Sequence, residues 1–470
     1  MAHAASTWVP LDHPAYRLMD SLAPRGVLHD QAWGVRPISW EQLQTALQSA
    51  TPAHDADREV LLRLRGEAER RTRNHYARAD LRGGYTEGEA TSFGTVPADN
   101  GGPLTRNDGG RTFSERWGME LQLHLDTPGQ KVAASVTPRL TLGEAGGGNP
   151  GWQEGYITME TGPLLTSLGR QPIVWGPGAH GGFLLTDNAP PLPAIRTGLR
   201  RPHRFQGRLS PLGQADFSFF LARLEEARYV PHPVLTGLRL MWRPHPRLLV
   251  GASRTTMMAG DGQGVSGSDL FTIITGNNQG PDTDTSNSIA GIDITLDLPL
   301  HGTPGRAVRL YGEYAGEDEA SLWPAKPAMR LGLLLAGVRA NQNDTLRLEV
   351  AATDWPTEGN VWYRHGTYRS GYTYRHRIIG DALGPDGRSA ALTYHRPGAV
   401  QTLTLHAAWR THYVNRPERE THWESGVSLS RSPNRRLHIE VGGALERVER
   451  RTAPDGWQSR LLLRIGLAVG

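Results

Sequence analysis

The chain has 470 residues and a formal net charge of +4, from 51 Lys and Arg against 47 Asp and Glu, with 56 Gly, 33 Pro and no Cys. That length allows roughly two to four ordinary domains or one large architecture, and zero Cys excludes disulfide staples and thiolate metal sites. At 38% hydrophobic residues the chain has no apolar run long enough for a membrane helix, so a helical membrane bundle is excluded, and so weak a positive balance implies no nucleic acid.

The start, Met1 to Ala5, lacks the apolar core of a signal peptide, although Ala2-His3-Ala4 fits the small-x-small pattern left of a cleavage site. Residues 1–73 read as a small helical module acting as a structural cap. Asp12 is placed to cap a segment ending at Leu22, and Ser39 with Gln42 makes a capping box ahead of Leu43 and Leu47. A longer segment from about Asp55 to Arg71 sets Val60, Leu61 and Leu64 on one face.

From residue 74 to 470 a period of two takes over. Leu346, Leu348 and Val350 oppose Arg347 and Glu349, and Leu403, Leu405 and Trp409 oppose Thr404, His406 and Arg410. Leu437, Ile439 and Val441 oppose Arg436, His438 and Glu440, and Leu461, Leu463, Ile465, Leu467 and Val469 share one face of the last strand. Links between strands alternate between short (244–246, 301–305, 340–343, 397–399, 432–434) and long (259–284, 318–325, 356–387, 413–421, 450–456). Long loops on one side and tight turns on the other, with strands long enough to cross a bilayer, point to an all-β fold. The expectation is an antiparallel outer-membrane β-barrel of about 18 strands. Both termini and the helical module are then periplasmic. The apolar faces meet lipid, the charged faces enclose a polar lumen, and the module from below or inward loops from above can fill it.

Two segments carry chemistry. In the loop 356–387, Trp362, Tyr363, Tyr368, Tyr372 and Tyr374 offer flat faces to sugar rings, while Arg364, Arg369, Arg375 and Arg377 suit carboxylates or phosphates. The alternative is an interfacial girdle or self-packing, with Arg paired to Glu358 or Asp381. In the WGPGAHGGF stretch, Trp175, Gly176, Pro177 and Gly178 read as a structural plug, with Trp175, Asp187 and Asn188 as its candidates for touching ligand. Asp282, Asp284, Ser286 and Asp293 resemble a calcium loop, but Asn287 stands where the turn Gly belongs and no bidentate Glu follows, so no metal is expected. HExxH and GxSxG are absent, and pairs such as Glu225 with Glu226 and Glu317 with Glu319 read as solvated charge.

The stretch from Leu168 to Asn188, LGRQPIVWGPGAHGGFLLTDN, resembles the signature of Wzi-type capsule assembly proteins, and His365 to Gly387, HGTYRSGYTYRHRIIGDALGPDG, resembles another block of that family. VPLDHPAYRLMDSLAPRGVL and LTGLRLMWRPHPRLLVGASR are also similar. The resemblance implies a non-enzymatic outer-membrane lectin, without a cofactor, that holds capsular or other surface polysaccharide at the cell exterior. The final Gly470 departs from the aromatic residue with which such barrels commonly end. The Arg-rich loop favours an acidic glycan. Outer-membrane lipid is the other expected partner, and the helices offer contact to the cell wall or an export partner. The runner-up reading is a substrate-specific porin for charged sugars.

Overall fold

The computed structural model describes residues 5–28, 34–52, 55–87, 106–111, 116–143, 148–263, 286–300, 303, 305–320, 323–339, 342–354, 362–398, 400–414 and 417–469. Three helices come first: α1 (Pro14–Leu22), α2 (Trp40–Ser49) and α3 (Asp55–Arg73). A closed antiparallel barrel of 18 strands follows. Its first half comprises β1 (Tyr76–Glu87), β2 (Trp117–Thr127), β3 (Val132–Gly143), β4 (Gly148–Thr161), β5 (Leu164–Gln171), β6 (Leu192–Leu199), β7 (Gln214–Arg223), β8 (Val234–His245) and β9 (Leu248–Met258). The second half comprises β10 (Ser286–Pro299), β11 (Ala307–Ala320), β12 (Trp323–Ala336), β13 (Thr345–Ala352), β14 (Gly387–Arg396), β15 (Gln401–His412), β16 (Glu420–Arg431), β17 (Leu437–Arg450) and β18 (Gly456–Val469). Closure comes where β18 pairs with β1, from Ser459 opposite Glu87 to Val469 opposite Ala77.

Alternation decides which face goes where. On β18, Leu461, Leu463, Leu467 and Val469 are exposed outward, while Gln458, Arg460 and Gly466 are buried inward. Leu121, Leu123 and Leu125 do the same on β2. A continuous apolar exterior of this kind is unfavourable in water and matched by acyl chains. Exposed Tyr85, Trp117, Trp152, Trp423 and Trp457 lie near the long-loop ends of their strands, forming the aromatic girdle of that rim.

The expected asymmetry of connections holds with two departures. One rim carries 172–191, 224–233 and 353–386, and the other carries turns such as 128–131, 162–163 and 246–247. The link expected to be long at 318–325 is instead a tight hairpin: Asp318 pairs with Ala325 and Ala320 with Trp323. The two strands simply continue their ladder through the expected loop. At the short-turn rim, β6 and β7 are joined by a longer excursion containing a 3-10 turn, Gly207–Leu212.

The helices close the short-turn mouth. The α2 capping box forms between Ser39 and Gln42, whereas the cap of α1 is His13, not Asp12: its ring accepts from the Ala15 amide at 3.1 Å. Asp12 is drawn off by the lumen wall, where it meets Arg464 at 2.6 Å. Asp20 likewise meets Arg347 at 2.6 Å, and Arg71 meets Asp126 at 3.0 Å. Trp40, Leu22, Leu43, Leu47 and Leu61 form the module's own core.

Candidate functional site

The 172–191 connection turns inward at the long-loop end and enters the lumen. Its glycines permit this: Gly176 has φ +106°, and a Cβ there would stand 2.7 Å from the Gly182 backbone. Barrel-wall side chains then satisfy its backbone. Glu313 accepts from the Phe183 amide at 2.8 Å and Glu349 from the Ala179 amide at 3.1 Å, while Arg330 donates to the Gly181 carbonyl and pairs with Asp381. From below, Arg36 donates to the carbonyls of Gly178 at 2.8 Å and Ala179 at 2.7 Å, and Val35–Arg36 pairs with Val174–Trp175. Trp175 packs edge-on against Phe220 at 5.3 Å, and Pro177 continues the same tight turn. Asn188 donates to the Ile378 carbonyl at 3.0 Å, and Asp187 lies 3.2 Å from the exposed His180. A second inward piece, 106–111, sends Arg106 to Glu424 and Glu446, both at 3.2 Å.

The 362–386 segment lies over this plug, and its aromatics face it. Trp362, Tyr363, Tyr368, Tyr372 and Tyr374 are all buried in one cluster with Trp175 and Phe183. Tyr363 stacks on Tyr372 at 5.9 Å and donates to the Phe183 carbonyl at 2.7 Å. Burial raises its phenol well above the ordinary range, which keeps it a neutral donor. Tyr372 donates to Thr255 at 2.9 Å and Tyr368 to the Ala259 carbonyl at 3.0 Å. The expectation of open stacking faces is therefore corrected toward the self-packing alternative: these rings are covered by protein, the hydroxyls of Tyr363, Tyr368 and Tyr372 each meeting a protein oxygen. Arg377 is buried as well, and Arg364 is half-buried. Glu358, Asp282 and Asp284 lie outside the described residues; Asp293 sits on the barrel wall, held by Arg239 at 2.7 and 3.0 Å. Among the described residues no group of three His, Asp or Glu is arranged to hold a metal.

What remains open at this rim is smaller. Thr373–Tyr374 pairs with Arg377–Ile378, and the hairpin tip exposes Arg375 and His376 at φ +49° and +63°. A two-residue turn with both residues at positive φ normally uses Asn-Gly, so Arg and His here are held under backbone strain by their surroundings. The Arg375 amide donates to Glu225 at 3.0 Å, and Arg228 donates to the carbonyls of Thr373 at 2.7 Å and Gly371 at 2.9 Å, locking two loops together. Exposed Arg369 lies 4.7 Å over the ring of Tyr229, itself 59% exposed. Tyr229 escaped the sequence reading because it stands alone among charges, in a loop with no aromatic repeat.

A family model described as capsule assembly protein Wzi matches residues 89–460. A curated Klebsiella pneumoniae protein, described as an uncharacterized 55.8 kDa protein in the cps region, is 29% identical over 399 residues, covering 82% of this chain and 71% of that one. The solved Escherichia coli Wzi, described as an outer membrane protein involved in group 1 capsule assembly and a carbohydrate-binding β-barrel, superposes with a TM-score of 0.78 at 20% identity, over 97% of this chain and 99% of the other. Pseudomonas aeruginosa OccK2 in complex with glucuronate gives a TM-score of 0.50 at 12% identity, over 84% and 98%. At such identities the structural likeness speaks for the fold.

Proposed function

The chain belongs to the Wzi family of capsule assembly proteins and is an outer-membrane β-barrel, and from that premise we propose that it binds surface polysaccharide at its long-loop rim and holds it for capsule assembly. The long loops face the cell exterior and the helical module of residues 1–73 caps the periplasmic mouth of the barrel of residues 74–470. The ligand is an acidic glycan, because the open part of the rim is cationic and aromatic: Arg369 on Tyr229, with exposed Arg375 and His376 at the hairpin tip. Trp362, Tyr363, Tyr368, Tyr372 and Tyr374, with Arg364 and Arg377, support that surface from beneath. Trp175, Gly176, Pro177, Gly178, Asp187 and Asn188 form the plug. No catalytic role is assigned. The helices are the contact for a cell-wall or export partner.

The observation that carries this reading is a lumen occupied from both ends beneath a rim that is both charged and aromatic. The full-length protein on a glycan array supplies the test. Replacing Tyr229, Arg369 and Arg375 with Ala lowers retention of uronate-bearing polysaccharide by about tenfold or more, the loss of one cation–π platform and two guanidiniums. Unchanged retention by the folded variant refutes the site, and stronger retention of neutral glycans refutes the ligand class.

A further inference from the structure

The wall between β6 and β7 breaks near the short-turn rim. The two strands pair from Ala194 opposite Ala222 to Gly198 opposite Ser218, and pairing resumes only with His203 opposite Ala215 and Arg204 opposite Gln214. Between those points Leu199, Arg200, Arg201 and Pro202 stand against only Asp216 and Phe217. The Phe217 amide donates at 2.7 Å to the side chain of Asp216, a local substitute for a ladder partner. A cavity of about 300 Å³ opens at the break, lined by Arg196, Arg200, Arg201, Arg204 and Gln42 among others. The carboxylates facing these cations are shared: Glu41 takes Arg200 at 3.3 Å and Arg201 at 3.1 Å, Glu160 takes Arg200 at 3.2 Å, and Asp216 lines the cavity.

The outer lip is apolar. The 3-10 turn Gly207–Leu212 exposes Leu209 and Leu212, and the indole of Trp242 donates to the Leu212 carbonyl at 2.8 Å. That bond fastens the turn to the lipid-facing side of β8, where Leu240 and Trp242 are exposed. Cations at the break and apolar side chains running on into the membrane band match the two halves of a lipid. We propose that this break binds the phosphate headgroup of an anionic phospholipid from the leaflet at the short-turn rim. Arg201 and Arg204 hold the phosphate, and the acyl chains run along Leu209, Leu212 and Trp242. Guanidinium forks suit phosphate oxygens, and the apolar lip distinguishes a lipid from a free anion.

Native mass spectrometry of the full chain, released from nanodiscs of mixed phosphatidylglycerol and phosphatidylcholine, tests this. The wild type retains phosphatidylglycerol preferentially. Arg201→Gln with Arg204→Gln lowers that retention about thirtyfold, the effect of two headgroup cations, and Arg201→Lys with Arg204→Lys restores most of it. Leu209→Ser with Leu212→Ser, leaving every cation in place, also lowers it. Equal retention of the two lipids, or no effect of the Gln pair in a barrel that still shows heat-shifted mobility, overturns the proposal. Displacement by soluble glycerol phosphate as readily as by lipid also overturns it, reducing the break to an anion pocket.

Discussion

Replacing Trp175 with Ala probes the seal most directly. The indole is 1% exposed and lies in a slot that exists because position 237 lacks a side chain: a Cβ on Gly237 would stand 2.8 Å from the Trp175 ring and 2.3 Å from that of Phe220. Removing a buried Trp costs about 3–5 kcal/mol. Because the barrel ladder does not use this ring, the loss falls on plug docking, and the open fraction rises about 150- to 5,000-fold. Single-channel recording in planar bilayers reads this directly: rare or no openings in the wild type, frequent openings in W175A. Gly237→Ala attacks the same contact by overpacking at about 1–3 kcal/mol and shows a smaller rise. A folded W175A barrel as closed as the wild type refutes the reasoning and assigns the seal to the backbone bonds made by Glu313, Glu349 and Arg330. Stable current through the wild type refutes it from the other side and favours the porin.

Changing Arg375-His376 to Asn-Gly relieves two positive-φ residues at about 1–2 kcal/mol each, so the loop resists proteolysis longer while acidic glycan retention falls; parallel loss of both contradicts the strain argument. Burial opposes ionisation of Glu67, but His13, Arg71 and Arg63 outweigh it and hold the carboxyl at about 2 against an ordinary 4.5. Its stabilisation of the helical module is thus complete above about pH 4.5 and is lost as pH falls toward 2. Acid titration followed by helical circular dichroism shows this step, and Glu67→Gln flattens it. Ser428 and Thr404 line the lumen, so in the W175A background Ser428→Arg cuts the open current, whereas the same change at exposed Val427 leaves current alone and impairs insertion.

The barrel was legible in the sequence because lipid and lumen impose opposite demands on successive side chains; the run from Leu461 to Val469 states both at once. The long-loop rim was legible only in part. Trp362, Tyr363 and Tyr372 look the same whether they stack on a sugar or on one another, and what separates the two cases is a carbonyl of Phe183 nearly two hundred positions away. The cap of α1 illustrates the same limit. Asp12 is the better local capping residue, but a guanidinium on β18 offers it a stronger partner, and His13 takes its place. Nothing local marks Tyr229 or the break at Leu199 to Pro202, because both depend on which strands become neighbours.

The described residues occupy the lumen differently on its two sides. Facing residues on the β8 to β13 side are long and mutually paired: Arg239 with Asp293 at 2.7 Å, Arg309 with Asp297 at 2.7 Å, and Arg330 with Glu313 and Asp381. The pairs between strands run along the wall, and Glu313 and Arg330 also bond the plug backbone, so wall and plug are one network there. Toward the short-turn end of β14 to β16 many facing residues are small, Thr393, Thr402, Thr404, Ser428 and Ser430, and a cavity of about 860 Å³ persists between them and the helices. Its lining includes Asp12 and Arg17 on the helical side and His180 and Asp187 of the plug. Small hydroxyls keep this half hydrated, and among the described residues the plug segment and the inward piece 106–111 stand between it and the long-loop rim. A barrel selected to conduct would spread its charges around an open path; here the charges are spent fastening a loop, and the hydrated half ends beneath it. That arrangement suits a protein whose working surface is its rim.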